Sequence, residues 1–138
     1  MVLANAGVKP SEGDLRLAII EADPGNPFVC CEQMMPIFPV VKCKDFEEAM
    51  ELAVKAEGGC RHSAAIWSND IDRVTRFGKR VETTCFVQNG CTAAATGMGG
   101  TGTGSATIAT GTGEGFTNPS TFTRVRRFAM AHGGGYIV

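Results

Sequence analysis

Between Ile37 and Gln88 the sequence alternates short β-prone runs with helical stretches that carry their own start and stop signals, and that alternation limits the fold more than any other feature. Ile37 to Val41 is an apolar β-branched run interrupted by Pro39, which lacks an amide donor and so favours an edge or a strand start. Asp45 follows as an N-cap, with Glu48 three residues on as a capping box requires. Phe46, Ala49, Met50 and Ala53 recur at helical spacing, and Gly58-Gly59 ends that helix. Residues 63–68, with the apolar centre Ala64-Ala65-Ile66-Trp67, are predicted to form a strand. Ser68 or Asn69 is expected to cap a second helix in which Ile71, Val74, Phe77 and Val81 share a face. Its acidic start, Asp70 and Asp72, and its basic later part, Arg73, Arg76, Lys79 and Arg80, match the helix dipole. Residues 83–87 read as a third strand. Ahead of these, Leu15, Leu17, Ala18, Ile19 and Ile20 read as a strand, followed by a loop at Asp23-Pro24-Gly25-Asn26-Pro27. Strands alternating with helices through short connections point to an α/β fold, a parallel sheet with right-handed crossovers and helices covering it.

Past Gln88 the composition changes. Eight glycines fall between Gly97 and Gly115, and most of the remaining positions are Thr, Ala or Ser, too small to build a core. Residues 105–110 are expected as an exposed or exchanged strand. Residues 121–131, with Phe122, Val125 and Phe128, are richer in β-formers, and the end reads as a flexible glycine turn with a short apolar anchor.

Charge excludes some functions. Thirteen basic against fourteen acidic residues give a net charge of -1, so no overall field draws nucleic acid or an anionic membrane. No apolar run approaches the ~20 residues of a membrane span, and the start lacks the pattern of a secretory signal. A cytoplasmic location is expected, with the six cysteines reduced, most of them filling core or inert. Cys60 with His62 are only two candidate ligands, so no metal site is expected.

The individual motifs stop short of a reaction. Gly97-Met98-Gly99-Gly100-Thr101-Gly102 has the spacing of a dinucleotide fingerprint. That motif works only where a strand precedes it and a helix opens at its end, and no helix begins here. A surface or substrate-side loop is the better reading. Arg124, Arg126 and Arg127 form a compact basic group suited to phosphate, or to strand-surface charges and subunit salt bridges. His62 reads as a hydrogen-bonded residue at a strand entry, and Glu32 as a carboxylate in a loop.

Taken together, certain segments say more. They are Cys31-Glu32-Gln33-Met34-Met35-Pro36-Ile37-Phe38-Pro39-Val40-Val41, Cys60-Arg61-His62-Ser63-Ala64-Ala65, residues 83–90, Gly113-Glu114-Gly115, Thr121-Phe122-Thr123-Arg124 and Arg126-Arg127. In this order they resemble the C-terminal portion of CoA-acylating aldehyde dehydrogenases of ethanolamine and propanediol utilisation, from Ala6 to Val138. The resemblance implies catalytic-domain strand–helix–strand units over residues 1–96. A glycine-rich segment and a β oligomerisation arm follow over residues 97–138. It implies oxidation of a short aldehyde to an acyl-CoA with NAD: a cysteine forms a thiohemiacetal, hydride leaves to NAD, and CoA sulfur takes the acyl group. It places Glu32 at the cofactor ribose, with Met34 where the superfamily has an aromatic, and residues 89–102 along the substrate channel. Cys91 stands where the family has proline, and Thr101 and Thr103 stand near where it has a carboxylate and an aromatic. The nucleophile and most of the cofactor domain would lie upstream of Met1, so no catalytic residue is assigned and the chain alone is expected to be inactive. Partners implied are a second copy or a full-length relative, met through the arm, and the location is cytoplasm or a bacterial microcompartment. Two alternatives stay open: a non-catalytic subunit-interaction module, and a small CoA- or nucleotide-binding protein using the glycine loop and the three arginines.

Overall fold

A computed structural model describes residues 16–105, 107, 108 and 116–135. They divide into two compact units, one drawn from Met1–Arg61 with Ser68–Glu82, the other from His62–Trp67 with Thr83–Val138.

In the first unit, β1 (Ala18–Glu21) and β2 (Ile37–Val40) pair in parallel with Ile19 opposite Phe38 and Ile20 opposite Pro39. Pro39 is tolerated because in a two-stranded pair each strand is an edge. The connection between them is more structured than a loop: the Asn26 side chain accepts the Phe28 N–H at 2.9 Å and caps the single turn α1 (Pro27–Cys30), with Pro27 at its first position. The first long helix, α2 (Phe46–Glu57), starts at Asp45, whose carboxylate accepts the Glu48 N–H at 2.9 Å. Glu48 returns its bond to the Lys44 N–H, at 2.7 Å, rather than to the cap residue. Gly58 and Gly59 stop the helix at φ 66° and 82°, a conformation that glycine adopts without a Cβ penalty.

The next helix, α3 (Ile71–Val81), is capped by Asp70 instead of Ser68 or Asn69. Its carboxylate accepts the Asp72 and Arg73 N–H groups, each at 3.1 Å, while the Ser68 hydroxyl accepts the Asp70 N–H. Val74, Phe77 and Val81 are buried with Met50 of α2, but Ile71, at the first position of α3, is exposed. Salt bridges Glu47–Arg76 and Glu51–Arg80 join α2 to α3, and the Arg73 and Arg76 guanidinium groups lie over the Phe46 ring at 5.6 and 5.5 Å. The Glu47 hydrogen bond and charge hold Arg76 more firmly protonated than an ordinary guanidinium.

In the second unit, β3 (Ser63–Ile66) and β4 (Cys85–Gln88) form another parallel pair, Ser63 opposite Cys85 and Ile66 opposite Gln88. The expected single sheet is therefore two separate two-stranded sheets among the described residues, because β2 and β3 do not share a ladder. Cys85 and Val87 are buried. A 3₁₀ turn, Thr92–Thr96, packs on both strands. Of the strand expected at 105–110, Ile108 makes one antiparallel bridge to Phe116; Ala106 and residues 109–115 lie outside the described residues. Residues 121–131 hold no strand: Asn118 and Thr121 form a capping box on a second 3₁₀ turn, Pro119–Phe122, because Asn-Pro starts a turn and outweighs the β-formers beyond it. Among the described residues no helix is long and apolar enough to cross a membrane.

Candidate functional site

Glu32 lies in the first unit on the segment that leaves α1 and enters β2. The backbone there is fixed at both ends. The Cys31 N–H bonds to the Pro27 carbonyl at 3.0 Å, and the Gln33 amide donates to the Cys31 and Pro27 carbonyls at 3.0 and 3.3 Å. Beyond it, the Ile37 N–H bonds to the Met35 carbonyl at 2.8 Å, and the Pro36 carbonyl accepts the Ala18 N–H of β1 at 2.9 Å. Between these anchors Met34 takes φ 48°, a left-handed conformation that costs a non-glycine residue on the order of 1 kcal/mol, and its side chain is 90% exposed.

The result is an open cleft of about 440 Å³ with Glu32 on its lining and Phe28, Met34, Met35 and Ile37 as apolar walls. Glu32 is exposed, and its carboxylate has no hydrogen bond or ion pair with the described residues. An ionised carboxylate is an acceptor with room for two donors, which is the chemistry a ribose diol needs; its neighbours Met34 and Met35 offer adaptable, polarisable contact surface. These residues fit the sugar end of a nicotinamide cofactor.

The second unit holds the other opening, about 460 Å³, lined by Gln88, Asn89, Gly90 and the glycine turn 99–102 together with Ala94 and Ala95. Asn89 sits at φ 54°, the turn conformation that the Asn-Gly dipeptide signals and that the strand pattern alone does not reveal. The glycine run folds back over the first 3₁₀ turn. The Gly97, Met98 and Gly102 N–H groups bond to the Ala94, Ala93 and Ala94 carbonyls at 3.1, 3.2 and 3.2 Å. Those amides are spent internally, and no helix starts at Gly102 among the described residues, so the segment lacks the geometry of a dinucleotide phosphate loop.

The remaining candidates lie elsewhere. His62 is exposed at the entry to β3, its Nδ1 3.1 Å from the Ser63 hydroxyl and its carbonyl accepting the Cys85 N–H. Arg124, Arg126 and Arg127 are exposed on irregular chain. All six cysteines are free, but Cys30, Cys31, Cys60 and Cys91 are exposed and Cys43 half-buried, so Cys85 alone fills core. That corrects the expectation that most were core. Burial pushes the Cys85 thiol pKa up. No group of three potential metal ligands occurs among the described residues.

Known proteins sharing this pattern are specific. The aldehyde dehydrogenase family pattern matches residues 17–124. Acetaldehyde dehydrogenase (acetylating) EutE of Salmonella typhimurium is 46% identical over 112 residues, which cover 81% of this chain and 24% of that protein. The propionaldehyde dehydrogenase of the Clostridium phytofermentans fucose utilisation bacterial microcompartment is 42% identical with a TM-score of 0.85, over 94% of this chain and 29% of that one. The Rhodopseudomonas palustris propionaldehyde dehydrogenase, solved with bound CoA and an acylated cysteine, is 36% identical with a TM-score of 0.80, over 89% and 28%. An engineered glycolyl-CoA reductase, solved with NADP+, matches at the same identity and TM-score. The chain thus spans about a quarter of the length of the curated relative it matches, 24%. With the family pattern covering residues 17–124 and the parallel strand–helix units reproduced in solved relatives, the chain belongs to the aldehyde dehydrogenase family.

Proposed function

We propose that this chain is part of a CoA-acylating aldehyde dehydrogenase that converts a short aldehyde, acetaldehyde or propionaldehyde, to its acyl-CoA with NAD. The observation that carries the reading is the agreement in sequence and fold with CoA-acylating enzymes across most of the chain, 81% of it at 46% identity for the acetylating relative. Residues 1–96 complete the catalytic domain, and residues 97–138 carry the glycine-rich segment and an arm through which copies associate. The enzyme works in the cytoplasm or inside a microcompartment.

Within that enzyme Glu32 accepts hydrogen bonds from the two ribose hydroxyls and fixes the sugar at the cleft. Charge-assisted acceptance makes these bonds stronger than neutral ones. The apolar side chains of Phe28, Met35 and Ile37 shield that position from water, which strengthens the contact further. When bound, the nicotinamide supplies the hydride acceptor. The nucleophilic thiolate comes from another part of the enzyme; Cys31, though beside Glu32, is not assigned that role. Residues 89–102 border the aldehyde channel, with the internally bonded glycine turn giving it a fixed wall.

The purified 138-residue chain, given propionaldehyde, CoA and NAD, is expected to form neither NADH nor propionyl-CoA. The polypeptide that carries this segment in its source cells, captured with an antibody to it, is expected to form both. Turnover by the isolated chain, or none by the captured polypeptide, refutes the reading. In the captured enzyme, Glu32→Gln should raise KM for NAD roughly tenfold, the loss of about one charge-assisted hydrogen bond, while KM for CoA holds.

A further inference from the structure

The β1–β2 pair carries apolar side chains on both faces. Ala18, Ile20, Ile37 and Pro39 are half-buried on one side. On the other, Leu17, Ile19, Phe38 and Val40 are 49, 68, 57 and 39% exposed. Register places Ile19 directly opposite Phe38, so these are neighbours on one surface and not scattered exceptions. Glu21, opposite Val40, turns to Lys42 at 2.8 Å and leaves the apolar patch between Leu17 and Val40 uninterrupted by a bare charge. Antiparallel sheets commonly leave one face in water, but parallel strands are characteristically covered on both. Two strands alone are also too few for a stable sheet.

We infer that the Leu17, Ile19, Phe38 and Val40 face is a docking surface for the rest of an aldehyde dehydrogenase catalytic domain, which covers it with an apolar layer. The inference rests on the proposed membership in a larger enzyme and adds the surface by which this part joins it. The occupant follows from the lengths. Solved relatives reproduce this fold over 89–94% of the chain at TM-scores of 0.80–0.85 and yet are more than three times as long, this chain matching only 28–29% of them. The additional chain in those proteins is available to cover a face that here meets solvent.

Hydroxyl-radical footprinting read at Phe38 tests the surface directly. The probe is a fusion in which this chain follows the part of Salmonella typhimurium EutE that precedes its matching segment. In the native fusion, Phe38 oxidation should fall at least tenfold below its rate in the same fusion denatured in guanidinium. A rate within twofold of the denatured one overturns the inference. The 138-residue chain should sediment as a monomer with Phe38 unprotected; a dimer that protects Phe38 makes a second copy the occupant and overturns it too. The double variant Ile19→Asp, Phe38→Asp should cut soluble yield of the fusion at least tenfold, and an unchanged yield counts against the surface. The footprint needs no substrate, so its failure is separable from failure of the activity. A fusion that protects Phe38 but makes no propionyl-CoA sinks the proposed reaction alone, whereas one that makes propionyl-CoA with Phe38 unprotected sinks only the surface.

Discussion

Replacing Gly102 by alanine should open the glycine turn, while the same change at Gly104 should not. A Cβ on Gly102 would be driven into the Ala95 and Ala94 carbonyls, and one on Gly100 would lie 2.6 Å from the Ala94 Cβ and 3.0 Å from its oxygen, where ordinary contact begins at 3.4 Å. The obstructing atoms belong to the backbone and β-carbons of the first 3₁₀ turn, so no rotamer change relieves them. The segment must lift, and lifting breaks the Gly102 N–H bond to the Ala94 carbonyl, 3.2 Å in the native turn. Overpacking costs about 1–3 kcal/mol and the hydrogen bond about 0.5–1.5 kcal/mol. The combined effect, about 2–4 kcal/mol, corresponds to roughly 30- to 1,000-fold more frequent opening, since 1.4 kcal/mol is about tenfold.

Native-state hydrogen exchange resolves this at the Gly97, Met98 and Gly102 amides, whose protection depends on the closed turn. Gly102→Ala should accelerate their exchange at least 30-fold. Gly104 has open space around a Cβ, so Gly104→Ala should leave exchange within about threefold. Unchanged protection in Gly102→Ala, or equal acceleration in Gly104→Ala, would refute the claim that steric exclusion of a Cβ shapes this wall of the cleft.

Asp45→Ala removes the carboxylate that caps α2 and should cost about 1 kcal/mol, read as a fall in thermal midpoint of roughly 2–8 °C. A double-mutant cycle of Glu51→Ala and Arg80→Ala should give a coupling below about 1 kcal/mol, since both side chains are half-exposed (55 and 51%), and 1 M salt should erase most of it. Iodoacetamide at pH 8 should modify Cys30, Cys31, Cys60 and Cys91 well before Cys85, with rates read by peptide mass spectrometry. Because burial raises the Cys85 pKa, the folded chain holds that proton more tightly than the unfolded one. Its contribution to stability is full below the ordinary thiol pKa of about 8.5 and is lost as pH rises towards the folded value. Urea midpoints should therefore decline above about pH 8.5, and Cys85→Ala should flatten that decline.

Local signals were the legible part of this fold. Asp45, Gly58 and the spacing of Val74, Phe77 and Val81 each act within a turn or two, so neighbouring residues suffice to identify them. The error at α3 was of the same short range: Ser68, Asn69 and Asp70 are all good N-caps, and the choice fell to the residue whose carboxylate reaches two amides at once. Strand pairing was less legible because it depends on what lies beside each strand. The sequence between β2 and β3 suits a crossover, yet β2 pairs with β1 and β3 with β4. At the site, Glu32 gave no signal of its own and drew meaning from the family resemblance. The feature that shapes its surroundings, the left-handed Met34, has no residue-type marker, since methionine is an uncommon choice for that conformation.

The cysteines show why burial was the hardest property to read. Six small, apolar thiols in a chain that is 43% hydrophobic suggest core positions, provided that the chain's own residues supply the core. Here the fully buried apolar set among the described residues is short: Met50, Val74, Phe77, Val81, Cys85 and Val87. Ile19, Phe38 and Trp67 are instead 68, 57 and 69% exposed, although their residue types are typical of interiors. Composition records how much apolar surface must be covered somewhere, not which chain covers it. A segment corresponding to 24% of a relative can therefore satisfy the helix caps and turns within itself while leaving sheet faces for another part of the enzyme to cover.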